Sequence, residues 1–288
     1  MLNFWDSFGD PIAERAGKAT TEHGLDLKSL DRSKVKTYKE ADVVYRFNDY
    51  GFRSNEFANI SKDDSLLFVG CSITEGIGLP YEHIWSNQLT QLINQDGDKQ
   101  FKAFNMSLAG TGLDTMSRNL YVLIKKLEKV PHSVFLLIPP LYRMETFVSE
   151  KLEDDEYVYF FNPFNKRDSN NKFWHDKKTA NLNIRERFHD AYGQLVYLQD
   201  FLEARGVKLY ISIWDFGEYR PGEKRKIDFF KESLPSSLKK DYLESEFKKT
   251  STSTAFPQEI AKDLFHPGPN SHFDFAVSVY NELLKREQ

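Results

Sequence analysis

The chain has 288 residues, of which 40% are hydrophobic and 15% aromatic, a composition that excludes a disordered protein and can bury a sizeable core. Its 39 basic and 43 acidic side chains leave a formal charge of −4, so there is no basic surplus to expect a nucleic-acid partner from. A single cysteine excludes an internal disulfide framework, and no run approaches the 18 or so apolar residues of a membrane span.

Residues 1–62 are mixed and charged, lack a long periodic segment, and read as an N-terminal extension packed on the main domain. "SLLFVG" (65–70) is a short apolar run ended by glycine, as in a buried strand. "HIWSNQLTQLINQ" (83–95) places Ile84, Trp85, Leu89, Leu92 and Ile93 at helical spacing. "FKAFNMS" (101–107) is a second strand, "MSRNLYVLIKKLEK" (116–129) a helix, and "SVFLLI" (133–138) a third strand stopped by Pro139 and Pro140. A helix over 188–206, a fourth strand "VKLYISIWD" (207–215) and a closing helix over 271–287 complete the pattern.

Strands alternating with helices predict an α/β protein with a parallel sheet covered on both faces, with ligands at the carboxyl ends of the strands. "GCSITEG", "NMSLAGTG", "PPLYR" and "WDF" all fall at that rim. Two long segments, about 143–187 and 216–258, leave the same rim and read as lid insertions. The first is rich in aromatics, suited either to stacking on sugar rings or to packing the lid down.

Ser72, at the break between a strand and a turn, has two readings. It is either a helix N-cap or a nucleophile presented where backbone amides can stabilise an oxyanion. A serine nucleophile needs a base, and the base an orienting carboxylate. "KDLFHPGPNSH" (262–272) supplies both: Asp263 and His266 are three apart, so in a helical turn the carboxylate reaches the imidazole. His83, His132, His175 and His189 are scattered, none pairs with Cys, Asp or Glu at ligand spacing, and no metal or other cofactor is expected. "GIG" and "GTG" are too short for phosphate loops.

"GCSITEG", "NMSLAGTG" and "DLFHPGPNSH" together resemble the SGNH (GDSL-type) serine hydrolases, over about 65–288. "FNDYGFRSNEF" (47–57) resembles an Asn-x-x-Gly-Phe-Arg segment that often precedes the serine in bacterial and phage-borne members. The resemblance implies a flavodoxin-like three-layer α/β/α fold of about five parallel strands, here spanning 63–288, and hydrolysis of acyl esters, including acetyl esters on carbohydrates. It makes Ser72 the nucleophile, His266 the base and Asp263 its orienter, with the amides of Ser72 and Gly110 as the oxyanion hole and Asn105 holding the second motif. The expected partner is a small-molecule or glycan ester, with no nucleic acid and no membrane; the expected location is the cytoplasm, or a virion if the chain is phage-borne.

Two positions depart from the family pattern. Cys71 replaces the Asp usual before the serine. The Asn that supplies a third oxyanion donor after the third strand is absent from "LLIPPLYRMET", where Tyr142 or Arg143 would substitute. That loss keeps open a non-catalytic glycan- or protein-binding module on the same fold, and acyl transfer to a sugar hydroxyl is a third reading.

Overall fold

The computed structural model describes residues 19–22, 43–141, 143–148, 157–161, 184–215, 230–248, 261–263 and 266–287. Its centre is a parallel five-stranded sheet made of β3 (Ser65–Gly70), β4 (Lys102–Ser107), β5 (Ser133–Ile138), β8 (Lys208–Asp215) and β9 (Tyr242–Lys248), in the order β4-β3-β5-β8-β9. The remaining strands form two antiparallel pairs, β1 (Ala19–Glu22) with β2 (Val43–Arg46) and β6 (Met144–Val148) with β7 (Tyr157–Phe161). The helices are α1 (Ser72–Glu75), α2 (Trp85–Asp96), α3 (Leu113–Leu127), α4 (Ile184–Glu203), α5 (Ser236–Lys239) and α6 (Pro269–Glu287). The fold is the expected three-layer α/β/α arrangement with an N-terminal extension and insertions.

Sequence explains the middle of the sheet directly. All six residues of β3 and all six of β5 are buried, as the uninterrupted apolar runs require of strands covered on both faces. Their register pairs Phe68 with Phe135 and Phe135 with Tyr210, and the three rings stack across the strands at 5.1 and 4.8 Å. Trp85 from α2 stands edge-on to Phe68 at 5.0 Å and meets Phe275 of α6 at 5.0 Å. One face of the sheet is thus an aromatic layer beneath α2 and α6, while α3 and α4 pack together in the other layer.

The strand order places the site. The chain runs from β3 outward to β4, then crosses back over β3 to β5 and continues to β8 and β9. Right-handed crossovers of opposite direction put their helices on opposite faces, so the loops leaving β3 and β5 separate and open a crevice between them. The four strand ends grouped by the sequence, at Gly70, Ser107, Ile138 and Asp215, do close the carboxyl rim of this sheet.

The fifth strand, β9, falls inside the 216–258 segment that the sequence reading left without strands. Three of its seven residues are charged, and only Leu243, Ser245 and Phe247 give the alternating inward set. That is the weak signal of an edge strand, and the irregular register between Ile211 and Ile213 weakens it further. Of the aromatics in the 143–187 segment, Phe164, Phe173 and Trp174 lie outside the described residues.

The opposite edge, β4, is covered by residues 54–55 of the extension. Ser54 Oγ accepts the Asn105 amide at 2.8 Å, and Asn55 Nδ2 donates to the Ala103 carbonyl at 3.0 Å. These bonds occupy an edge that would otherwise be open to strand addition. The segment leading there is a built turn: Asn48 Oδ1 accepts the amides of Tyr50 and Phe52, Gly51 takes φ 82°, and Phe52 packs on Phe57 at 5.4 Å. Arg53 follows and is buried, stacked 4.2 Å from the Tyr45 ring, with Nη1 donating to the carbonyls of Glu75 and Gly76 and Nη2 to those of Val44 and Leu79. Replacing Arg53 by Met is therefore expected to cost on the order of 3 kcal/mol of stability in urea denaturation, because buried carbonyls lose a charged donor. Arg53→Lys should recover only part of that, since an ammonium cannot reach several carbonyls at once.

His272 ties α2 to α6. Its Nδ1 accepts the Trp85 backbone amide at 3.1 Å, satisfying an otherwise orphaned donor at the start of α2. Burial, and then the nearby His266 and His83, push its pKa down from 6.5 to about 3, so the ring stays neutral in the folded protein. The unfolded chain takes up this proton below about pH 6.5 while the native state does not, so the stability contributed is complete above pH 6.5 and is lost as pH falls towards 3. Denaturation midpoints measured from pH 7 to pH 4 should show this slope, about 1.4 kcal/mol per pH unit, removed in His272→Asn. An unaltered slope would mean that His272 does not titrate as described.

Candidate active site

β3 ends at a turn with very little room. A Cβ placed on Gly70 would stand 2.1 Å from Thr74 Oγ1, so only glycine lets the chain double back so closely. Cys71 then leads into the four residues of α1, Ser72–Glu75, all of them buried, with Ser72 at 5% exposure. Cys71 is likewise buried, at 1%, and belongs to the hydrophobic core, as a thiol packed beside the serine.

Several elements grip this turn from different directions. Asn105, on β4, donates Nδ2 to the Thr74 carbonyl at 2.5 Å, and Trp85 Nε1 donates to Thr74 Oγ1 at 3.2 Å. Arg53 holds the carbonyls of Glu75 and Gly76 from the extension. Glu75 is itself buried, and its Oε2 accepts the Ala109 amide at 2.6 Å. That bond fastens the loop after β4 to the turn after β3. Its neighbour Gly110 takes φ 84°, a conformation that favours glycine, and nothing stands within 4 Å of where its Cβ would be. The Gly110 peptide therefore borders open space beside a fixed serine turn.

Asp263 and His266 form a pair. Asp263 Oδ2 lies 2.5 Å from His266 Nδ1, and Asp263 Oδ1 accepts the His266 backbone amide at 3.1 Å. Both contacts lie within one tight turn, closed by the Ala261 amide donating to the His266 carbonyl at 2.8 Å. The carboxylate is 5% exposed, so its hydrogen bond to the ring is shielded from water, and Nε2 is left as the ring's second nitrogen.

This turn is docked on the segment that follows Ser72. The Lys262 amide donates to the Gly78 carbonyl at 3.0 Å, and a Cβ on Gly78 would stand 2.8 Å from Asp263 Oδ1. Gly78, at φ 77°, in turn donates its amide to the Tyr45 hydroxyl at 2.7 Å. The structure thus brings together two stretches that lie far apart in the sequence, through Gly78 as the point of contact.

The loop after β5 forms the far wall of the crevice. Arg143 is 9% exposed and its guanidinium sits 5.2 Å from the Trp214 ring centroid at the end of β8. Tyr142 lies outside the described residues. Asp114, at the start of α3, is engaged with Arg187 at 3.8 Å. Among the described residues no group of three or more His, Cys, Asp or Glu is placed to hold a metal ion, and no helix is long and apolar enough to cross a membrane.

Sequence reasoning singled out the residues at the rim but missed two that shape it. Glu75 was passed over as part of a motif string, although a carboxylate in an otherwise buried four-residue helix is costly unless bonded, which is the signal that could have found it. Arg53 was quoted only as a resemblance; its function as a clamp on the serine turn depends on contacts 22 to 26 residues away.

No protein-family model matches the chain, and no curated protein matches it in sequence. In structure the chain is similar to TesA, at 14% identity and a TM-score of 0.45, covering 76% of this chain and 98% of that one. It is also similar to the psychrotrophic esterase EstA from Pseudoalteromonas sp., at 14% identity, a TM-score of 0.46, and coverage of 78% and 99%. A third similar structure is a variant of the acetyl xylan esterase Axe2 from Geobacillus stearothermophilus, at 14% identity and a TM-score of 0.48, covering 78% of this chain and 96% of that one.

Proposed function

We propose that the chain is a serine esterase that removes an acyl group, an acetyl above all, from a carbohydrate. On this reading residues 63–288 form the catalytic domain and 1–62 an extension packed on it. The observation that carries the reading is the Asp263–His266 pair, its carboxylate buried, docked through Gly78 onto the turn that holds Ser72, at the carboxyl ends of the strands.

The chemistry follows from the roles these groups can play. Asp263 accepts a hydrogen bond from His266 Nδ1–H, fixing the tautomer in which Nε2 carries the basic lone pair and stabilising the imidazolium once it forms. His266 takes the Ser72 hydroxyl proton as Oγ attacks the acyl carbon, and returns it to the leaving sugar oxygen. The amides of Ser72 and Gly110 receive the oxyanion, and the bond from Ala109 to Glu75 keeps the second of them in place without reorganisation during the reaction. Water then attacks the acyl-enzyme by the same proton route in reverse. With Pro139–Arg143 standing where an Asn donor is expected, turnover is lower by about 10²–10³ than with a complete oxyanion hole.

The absent donor is also what favours the competing reading, a binding module that keeps the fold without turnover. One experiment separates them. The protein is exposed to a serine-directed fluorophosphonate and the adduct is mapped by mass spectrometry. An adduct on Ser72 that is lost in His266→Ala is expected, with Asp263→Asn lowering the rate of ester hydrolysis by roughly 10²–10⁴ while the protein stays folded. No adduct, or one on Cys71 alone, would sink the esterase and leave the binding module.

A further inference from the structure

We infer that Arg143 is a recognition site for an anionic group on the substrate, a carboxylate or a phosphate. This rests on the esterase reading for the ester chemistry but not for the binding of the anion.

Arg143 is held as a fixed post. Its amide donates to the Pro140 carbonyl at 3.0 Å, closing a turn after the two prolines. Its own carbonyl accepts Arg187 Nη2 at 3.2 Å, and Arg187 Nε donates to the Leu141 carbonyl at 3.1 Å. From the other side Gly112 presses so close that a Cβ there would stand 2.3 Å from the Arg143 carbonyl oxygen. The loop bearing Arg143 is thereby fixed against the loop bearing Gly110, and the side chain lies against Trp214.

Two of its donors are unmet. Nε and Nη1 of Arg143 are buried and have no hydrogen-bond partner among the described residues. A guanidinium cannot shed its proton, so burial cannot neutralise it. Of the carboxylates on the neighbouring walls, Glu75 bonds Ala109, Asp114 meets Arg187 and Asp263 meets His266. The comparison with Arg53 is internal to the same molecule. Both terminal nitrogens of that guanidinium are met, by four backbone carbonyls in all, whereas Nε and Nη1 of Arg143 find no acceptor.

A buried cation without a partner is retained against its cost when a ligand completes it. The crevice between the loops after β3 and β5 is where a ligand enters a sheet of this order, and Ser72 and Arg143 stand on its two walls. A planar carboxylate matches the guanidinium fork in two parallel hydrogen bonds; a phosphate offers the same acceptor chemistry with three oxygens.

Calorimetric titration in a Ser72→Ala background, where nothing turns over, tests this with trigalacturonate, neutral xylotriose and inorganic phosphate as probes. Trigalacturonate is expected to bind, about tenfold or more weakly once Arg143→Gln is added, with Arg143→Lys intermediate because it keeps the charge without the fork. In the absence of ligand, Arg143→Gln should melt at the same or a higher temperature, whereas an arginine of purely structural use would melt lower when replaced. Arg143-dependent binding of either anion supports the site, and the tighter of the two names its source. Binding of neither anion, or binding indifferent to Arg143→Gln, overturns it. Anion binding that depends on Arg143 in a protein whose Ser72 takes no fluorophosphonate would remove the esterase and leave the anion site standing.

Discussion

The turn after β3 exists in its observed shape because a guanidinium supplied from outside the sheet gathers its carbonyls. A chain that reverses within a few residues of a buried strand leaves peptide oxygens facing inward with no helix long enough to absorb them. Arg53 resolves this for Glu75, Gly76 and Leu79 together, from a stem stacked on Tyr45. The same Tyr45 hydroxyl receives the Gly78 amide, and Gly78 is where the Asp263–His266 turn docks. The geometry of the serine turn, the placement of the Asp263–His266 pair and the packing of the extension are therefore one mechanical problem with one shared set of bonds.

Around that turn the site draws each wall from a different strand end. The loop after β4 is fastened by Glu75, the loop after β5 by Arg187 and the close approach of Gly112, and the final turn by Gly78. Each fastening is a buried hydrogen bond or a glycine contact, not a flexible surface ion pair, which is how preorganised sites keep their positions. Two of the buried arginines divide the work: both terminal nitrogens of Arg53 are met by backbone carbonyls, and Arg143 is left with donors to offer.

Much of the scaffold was legible because the central strands are buried on both faces and so read as unbroken apolar runs; "SLLFVG" and "SVFLLI" coincide with β3 and β5 to the residue. Helix starts were less legible. α3 begins at Leu113, three residues before the first periodic position read, and α4 at Ile184, ahead of 188. β9 was missed because an edge strand shows one buried face and a charged one over only seven residues. For the site, spacing alone allows Asp263 and His266 to pair, since a histidine three residues after an aspartate needs only one turn, and they do pair; Ser72 is singled out through the family resemblance, with a helix cap as its other reading. What could not be read was how the turns are held: the bonds of Arg53, Asn105 and Glu75 join segments whose proximity is decided by topology, and a buried polar residue looks in sequence like any other.

The contacts around the serine turn differ in how far along the chain their partners lie, and this sets an order of events during synthesis. Arg53 and the carbonyls it binds are separated by 22 to 26 residues, so the clamp can close soon after β3 leaves the ribosome. The Trp85–His272 bond spans 187 residues, and the docking of Lys262 on Gly78 likewise awaits the last segment of the chain. A nascent chain can thus hold a formed serine turn before the Asp263–His266 turn has been made.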